Sequence, residues 1–479
     1  MACIKYNKNV LNYREEIITN QPDIEACLKP GSHIHLIGIG GVSMSALAEV
    51  LFSRGLAVTG SDMSPSETVS RLRSLGLKVV VGHDPALTHG VDCVIRTAAA
   101  REDNPEVAEA KRLGLPLFER AQAWGYIMRG YSRALCVAGT HGKTTATSMS
   151  THILLEGGAD PTVMIGGFLP LIGAGHRVGA GDLIVMEACE YSHSFLNFSP
   201  TVAMILNIEA DHLDCYKDLD DIVSSFTRFA LLTPEKAGQI LLCADDPGAM
   251  RLSSLPREIL TFGVSDGADV FPEGLNMENG FGRFTVSVRG EPYADIKLRV
   301  PGTHNVVNAL GAAAAAWRLD MPGQAVSRGL KSFRGAARRF EWVGQHKRAT
   351  VIDDYAHHPT EITATFKAAR AMGFSRILCA FQPHTYSRTA ALFDDFVEAL
   401  RLADRVYLAR VYAARERNTT NLSERALAEK LANATFFDNM DDIATALSRD
   451  ARPGDLILTM GAGDIWKVGQ QLIQRAQAR

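Results

Sequence analysis

From residue 33 onward, short apolar runs alternate with amphipathic stretches. "HIHLI" (33–37) leads into a glycine turn and then "SMSALAEVLFSRG", whose apolar residues recur at helical spacing up to a stop at Gly55. "AVTG", a helix-like "SETVSRLRSLG" and "KVVV" follow, then "DCVIRT" and a helix-like "PEVAEAKRLG". This repetition predicts β-α-β units, hence a parallel sheet with helices on both faces. A second series starts at "RALCVAG" (133–139) and includes the strands "DLIVMEA" (182–188) and "VAMILNI" (202–208). "RFTVSVRGEPYADIKLRV", beginning at Arg283, alternates about a turn at Arg289–Pro292 and predicts an antiparallel hairpin at that sheet's edge. A third series begins near 340 with "ATVIDD", "RILCAF", "RVYLAR" and "LILTMGAGD". The fold expected is α/β in three domains after an N-terminal extension over 1–31. The first, over 32–132, is Rossmann-like. The central one, over 133–338, has a parallel sheet with an antiparallel edge, and the third, over 339–479, is again Rossmann-like.

Composition narrows the class. The chain has 479 residues, enough for three domains of about 150 each. It is 46% hydrophobic and 22% charged, the balance of a globular protein. A net charge of −3, from 50 basic and 53 acidic residues, gives no electrostatic reason to expect nucleic acid or an acidic membrane as partner. Eight scattered cysteines without a C-x-x-C pair read as buried, reduced thiols. The N-terminus lacks an apolar core of signal-peptide length, and the longest apolar stretch, "ALGAAAAAW" (309–317), is far shorter than a membrane span. A cytoplasmic protein is expected.

Two glycine loops carry the first chemistry. "GIGGVSMS" (38–45) follows a strand and opens a helix, and Asp62 lies 24 residues past Gly38. With Gly38, Gly40, Gly41, Val42 and a Ser43 where a third glycine would stand, it resembles a dinucleotide fingerprint. Bare amides at a helix N-terminus suit a pyrophosphate, so either NAD(P) or any diphosphate-bearing nucleotide fits, as does an unliganded turn. The second loop lies in "LCVAGTHGKTTATSMST" (135–151). The strict pattern G-x-x-x-x-G-K-[ST] needs glycine at 137, where Val137 stands. Gly139 and Gly142 still let the backbone turn its amides inward around Thr140 and His141. Lys143 would neutralise β/γ-phosphates of ATP, and Thr144, followed by Thr145, would place a hydroxyl on Mg²⁺. The plain alternative is a helix cap beside a chance lysine. A dehydrogenase needs only the first loop and a simple ATPase only the second. An enzyme that holds a nucleotide-linked substrate and separately consumes ATP needs both.

Further polar groups stand at the ends of apolar strands, where such sheets bind ligands. "VMEACEYSHSFL" (185–196) supplies Glu187, and "NIEADHLD" (207–214) supplies Glu209, Asp211, His212 and Asp214. Glu187 and His212 could share a metal with Thr144. In "PGTHNVVNALGAAAAAW" (301–317), Asn305 and Asn308 share a helix face and either read an adenine edge or cap the helix. "AARRFEW" offers Arg339. "IDDYAHHPTEI" (352–362) and "FQPHTYSRT" (381–389) offer Asp353, Asp354, His357, His358, His384 and Arg388. Such a cluster suits carboxylate and phosphate binding, with incidental histidines at N-caps as the alternative.

Taken in order, "GIGGVSMS", "GTHGKTT", "NIEADHLD", "HNVVNALGA", "RRFE", "DDYAHHPTEI", "FQPH" and "GAGDIW" resemble the Mur ligase family of peptidoglycan synthesis over residues 32–470. That family's loop, G-T-x-G-K-[ST], accounts for Val137. The resemblance implies that the first loop, with Asp62, binds a UDP moiety rather than NAD. It implies that the central domain binds ATP and Mg²⁺, and that the third domain brings an amino acid. It is nearest to the branch that joins L-alanine to UDP-N-acetylmuramate through an acyl phosphate, with a monomer or weak homodimer expected. By this likeness Thr144, Glu187 and His212 hold the metal, and Gly139 to Thr145, Asn305, Asn308, Arg339 and Asp354 face ATP. Lys143, His212, Arg339, His357 and Arg388 serve the reaction, while His357, His384 and Arg388 take substrate carboxylates. Thr385 stands where the branch often has a second arginine, and Cys189 where it often has an aspartate. Thr227 stands where several other amino-acid adders carry a carbamylated lysine. Two other functions stay open: a recycling ligase that attaches an intact peptide to the same UDP-sugar, and a NAD(P)-dependent oxidoreductase using the first loop.

Overall fold

The computed structural model describes residues 24–212, 215–414, 416–420, 422–423 and 425–477. Residues 1–23 of the N-terminal extension, and Asp214, lie outside the described residues.

Three sheets form. In the first, β1 (His33–Ile37), β2 (Ala57–Asp62), β3 (Lys78–Val81), β4 (Cys93–Arg96) and β5 (Leu117–Glu119) are all parallel, in the order β3-β2-β1-β4-β5. The chain winds outward from β1 in one direction and then returns to its other side, so the loop after β1 lies at the switch point where such sheets take ligands. Cys27 and Leu28, just before the first strand, are buried in this unit's core.

The second sheet has ten strands: β6 (Arg133–Ala138), β7 (Thr162–Leu169), β8 (Ala174–Arg177), β9 (Leu183–Glu187), β10 (Val202–Ile205), β11 (Gln239–Cys243), β12 (Glu258–Phe262), β13 (Val270–Glu278), β14 (Phe281–Val288) and β15 (Glu291–Pro301). Their order is β15-β14-β13-β12-β11-β10-β6-β9-β7-β8. The middle is parallel, and both edges are antiparallel. The hairpin expected from the alternation is β14–β15. Its turn is only Arg289–Gly290, both at positive φ, which matches the twist of the strands it joins. Pro292 belongs to β15, where an edge strand tolerates a residue without an N–H. β13, and the β7–β8 hairpin at the other edge, have no clear apolar alternation.

The third sheet contains β16 (Glu341–His346), β17 (Ala349–Asp354), β18 (Ile377–Phe381), β19 (Arg405–Leu408), β20 (Ala434–Phe436) and β21 (Leu456–Met460) in the order β16-β17-β21-β18-β19-β20. Only β16, into which "RRFEW" runs, is antiparallel.

The apolar runs of the inner parallel strands β6, β10, β18 and β21 are buried on both faces, as helices on both sides require. The alanine run of the helix Thr303–Arg318 is fully buried beside the helix Lys143–Glu156. Small side chains there let two helices and a sheet approach closely. Polar residues of the helix Lys143–Glu156 tolerate burial partly because Ser150 and Thr151 bond back to the carbonyls of Ala146 and Thr147. The first and central units share one continuous core that includes Trp124, Phe195, Phe226 and Phe229. None of the seven described cysteines is in a disulfide, and five of them are buried. Among the described residues no helix is long and apolar enough to cross a membrane.

Candidate functional site

The second glycine loop follows β6, between β9 and β10. Gly142 begins the helix Lys143–Glu156 with φ +81°, the left-handed region that a side chain disfavours. An added Cβ would stand 2.7 Å from Asn308 Oδ1. Asn207, just past β10, fixes the loop from the side. Its carbonyl accepts from Thr140 N at 3.0 Å, its Oδ1 accepts from His141 N at 2.7 Å, and its Nδ2 donates to His141 O at 3.2 Å. The Lys143 ammonium donates to the carbonyls of Gly139 and Thr140 and to both oxygens of Glu190, at 3.1 and 2.9 Å. Burial works against the Lys143 charge, but Glu190 outweighs it and raises the pKa above its ordinary value.

Strand register places Glu187 beside Val137. Its Oε1 accepts from Thr144 Oγ1 at 3.0 Å, and its Oε2 accepts from Gly166 N at 2.6 Å. A hydroxyl and a carboxylate in contact are the oxygen donors a hard cation such as Mg²⁺ takes, so this pair fits the ion. His212 is not in that contact. Its Nε2 faces Glu190 Oε1 at 3.8 Å and Asp211 Oδ2 at 3.7 Å. Ligand atoms of His141, Glu209 and His358 also cluster within 4.8 Å. Burial works to lower the His141 pKa, yet Glu361 and Glu209 raise it to about 9, so this ring carries a positive charge at neutral pH.

A cavity of about 270 Å³ opens between the central and third units. His141, Gly142 and Thr145 line it from the loop, Asn305 and Asn308 from the helix Thr303–Arg318, and Arg339, Asp354 and Glu361 from the third unit. Asn308 Nδ2 donates to Asn305 Oδ1 at 3.3 Å, and Asn305 Nδ2 to Pro301 O at 2.7 Å. The Asp354 carboxylate accepts from Phe340 N at 2.8 Å and Ala356 N at 2.7 Å, while burial pushes its pKa up to about 7. Arg339 lies over the Tyr355 ring, with Nη2 at 3.5 Å from Thr144 Oγ1 and Nη1 at 3.8 Å from Glu361 Oε1.

Glu361 ties these pieces together. It faces His141 at 3.3 Å and accepts from His357 N at 3.0 Å. Burial would raise its pKa, but His357, His141 and Arg339 hold it well below the usual carboxylate range. Beside Glu361, the His357 Nδ1 donates to Tyr355 O at 3.0 Å, and its ring is 5.7 Å from that of His384. His384 stacks on Tyr412 and accepts from Arg388 Nη1 at 3.0 Å. Arg388 forms a two-pronged ion pair with Asp211. Thr385 starts the helix Tyr386–Ala391 at φ +65°.

The first glycine loop is a separate station. Gly38 N donates to Ser61 O at 2.8 Å, Gly41 caps the helix Val42–Ser53, and Ser43 accepts from Trp124 Nε1 at 3.1 Å. Asp62 Oδ2 accepts from Gly40 N at 2.8 Å, so here the acid braces the loop itself. The β7–β8 hairpin meets both loops. A Cβ on Gly167 would lie 3.2 Å from Thr144, and one on Gly175 would lie 3.0 Å from Val42.

The structure therefore gathers Lys143, Thr144, Glu187, Arg339, Asn305, Asn308 and Asp354 around one loop and cavity. His357, His384 and Arg388 stand together across the seam. Sequence reasoning assigned no role to Asn207 or Glu361. The signal for Glu361 was the H-x-x-E capping pattern of "HPTE", which the helix Pro359–Ala371 uses.

Models of three domains match the chain: the Mur ligase family catalytic domain over 33–132, the Mur ligase middle domain over 137–316, and the Mur ligase glutamate ligase domain over 338–463. A UDP-N-acetylmuramate–L-alanine ligase of Acetivibrio thermocellus is 45% identical over 93% of this chain and 96% of its own. The structure of a UDP-N-acetylmuramate–alanine ligase from Thermotoga maritima superposes with a TM-score of 0.78 at 31% identity, covering 93% of this chain and 99% of that one. A murein peptide ligase from Psychrobacter arcticus superposes with a TM-score of 0.69 at 25% identity, over 93% and 98% of the two chains. With three consecutive domain matches and near-complete coverage of close relatives, the chain belongs to the Mur ligase family.

Proposed function

We propose that this protein is an ATP-dependent ligase that joins L-alanine to the lactyl carboxylate of UDP-N-acetylmuramate. The products are UDP-N-acetylmuramoyl-L-alanine, ADP and phosphate, an early precursor step of peptidoglycan. One observation carries the reading: phosphate grip and carboxylate grip meet at one seam. Lys143 contacts Glu190, Glu190 faces His212, and the neighbouring Asp211 holds Arg388 of the third unit. The 45% identity to an alanine ligase, against 25% to a peptide ligase, favours an amino acid as the amine.

The chemistry follows from charge. The lactyl carboxylate oxygen attacks the γ-phosphorus of ATP, the bond to the β,γ-bridging oxygen breaks, and ADP leaves. The amine nitrogen then attacks the acyl carbon, and phosphate departs with the former carboxylate oxygen. Two anions must approach in the first step, and fixed cations lower that barrier. Lys143 leaves Glu190 for the γ-phosphate, and Arg339 spreads the developing charge. Thr144, Glu187 and His212 would hold Mg²⁺, which would supply further charge neutralisation. Asn305, Asn308 and Asp354 line the ATP cavity together with His141, Gly142 and Thr145, and Gly139, Thr140, Lys143 and Thr144 complete the loop that takes the phosphates. Gly38, Gly40, Gly41, Val42, Ser43 and the Asp62-braced turn take the UDP diphosphate. His357, His384 and Arg388 take substrate carboxylates. ADP release should require ATP, UDP-N-acetylmuramate and alanine together. Undiminished release without the UDP-sugar overturns the reading, and preference for a tripeptide over alanine favours the recycling reaction.

A further inference from the structure

Arg388 and Asp211 come from different units, 177 residues apart, and both side chains are at least nine-tenths buried. A guanidinium carries five N–H donors in a planar fork. Nε and Nη2 donate to Asp211 Oδ1 at 3.0 and 2.9 Å, and Nη2 also donates to Oδ2 at 3.2 Å. Nη1 donates to His384 Nδ1 at 3.0 Å. These four hydrogen bonds leave at least one of the five N–H groups for a further carboxylate oxygen.

The surroundings fix this arrangement. His384 is stacked on Tyr412 and bridged to it along the backbone, so the acceptor at Nη1 is held in place. Burial keeps the pKa of His357 down at about 3 and of His384 at about 4, so neither ring adds positive charge at neutral pH. Arg388 is then a fixed cation of this pocket, and its direction bears on what the pocket can hold. Asp211 Oδ2 also lies 3.7 Å from His212 Nε2, which in turn faces Glu190 beside Lys143.

We infer that Asp211 is the positioning residue of the amino-acid pocket: it clamps Arg388 and so fixes the direction in which the remaining N–H meets the α-carboxylate of the incoming amino acid. This rests on the reading that Arg388 binds that carboxylate. An interdomain ion pair serving only to join the two units would make no distinction among substrates.

The test is steady-state ADP release by the full-length chain, comparing wild type with Asp211→Asn and Asp211→Glu. Asp211→Asn should raise KM for alanine by about tenfold or more while KM for ATP and for UDP-N-acetylmuramate stays within about twofold. Asp211→Glu, which keeps the charge on a longer arm, should fall between wild type and Asp211→Asn. Equal alanine KM in all three proteins, or a parallel rise in all three KM values, overturns the inference. If Asp211→Asn gives no cooperative melt, Asp211→Glu alone carries the comparison. Wild-type ADP release that ignores the amino acid counts against the ligase reading itself, and is visible before any variant is made.

Discussion

Replacing Lys143 by Met separates the two tasks of this side chain. The ammonium is largely buried and contacts both oxygens of Glu190, whose side chain is 3% exposed. Removing it strands a buried carboxylate. Breaking such a pair costs about 3–5 kcal/mol, and residual exposure at Lys143 favours the lower end, near 3 kcal/mol. For a unit of this size that lowers the melting temperature by about 6–12 °C. Lys143→Met/Glu190→Gln removes the stranded charge and should recover most of that loss. Activity should not follow stability. Losing a fixed cation at the γ-phosphate costs about 10²–10³ in turnover, and the double variant should remain equally slow. Thermal melts and ADP release on wild type, the single and the double variant give both numbers. A single variant that melts within about 2 °C of wild type refutes the burial argument. Recovery of turnover in the double variant refutes the phosphate role.

Gly142→Ala forces a Cβ into the left-handed region and to 2.7 Å from Asn308 Oδ1. The backbone term alone costs about 1–2 kcal/mol, so ADP binding measured by calorimetry should weaken several-fold; an unchanged affinity contradicts the loop geometry. Glu187→Gln should raise the Mg²⁺ concentration needed for half-maximal ADP release, and an unchanged requirement removes Glu187 from the metal site. The His141 pKa, about 9, stands above its ordinary 6.5, so the stability it adds is full below 6.5 and is lost as pH rises through 9. Melts of nucleotide-free protein between pH 6.5 and 9.5 should therefore fall more steeply for wild type than for His141→Gln; parallel slopes contradict the Glu361–His141–Glu209 contact.

Much of the architecture was legible because buried parallel strands are nearly continuous apolar runs, as in "RALCVA" and "LILTM". Edge strands lack that signal. β13 carries Pro272 and Gly274, a register break and mostly half-buried or exposed residues, so no alternation marks it. β7 and β8 are short of apolar alternation, yet they link the two glycine loops. The loops themselves were legible from local spacing, which glycine conformations impose. Their partners were not. Asn207 reaches back 66 residues to His141, Glu361 closes on the same loop from another unit, and Asp211 finds Arg388 177 residues away. Such pairings depend on how sheets are set side by side. Asp62, placed by its spacing with the UDP-binding loop, has its carboxylate bonded to Gly40 of that loop, a contact the spacing alone does not specify.

The central claim is that a carboxylate is activated by phosphorylation before the amine attacks. UDP-N-acetylmuramate labelled with ¹⁸O in its lactyl carboxylate tests it in one turnover, with ATP and L-alanine present and phosphate read by mass spectrometry. One labelled oxygen should pass into the released phosphate for each UDP-N-acetylmuramoyl-L-alanine formed. Unlabelled phosphate alongside product would contradict the acyl-phosphate route, and phosphate without product would contradict the ligase.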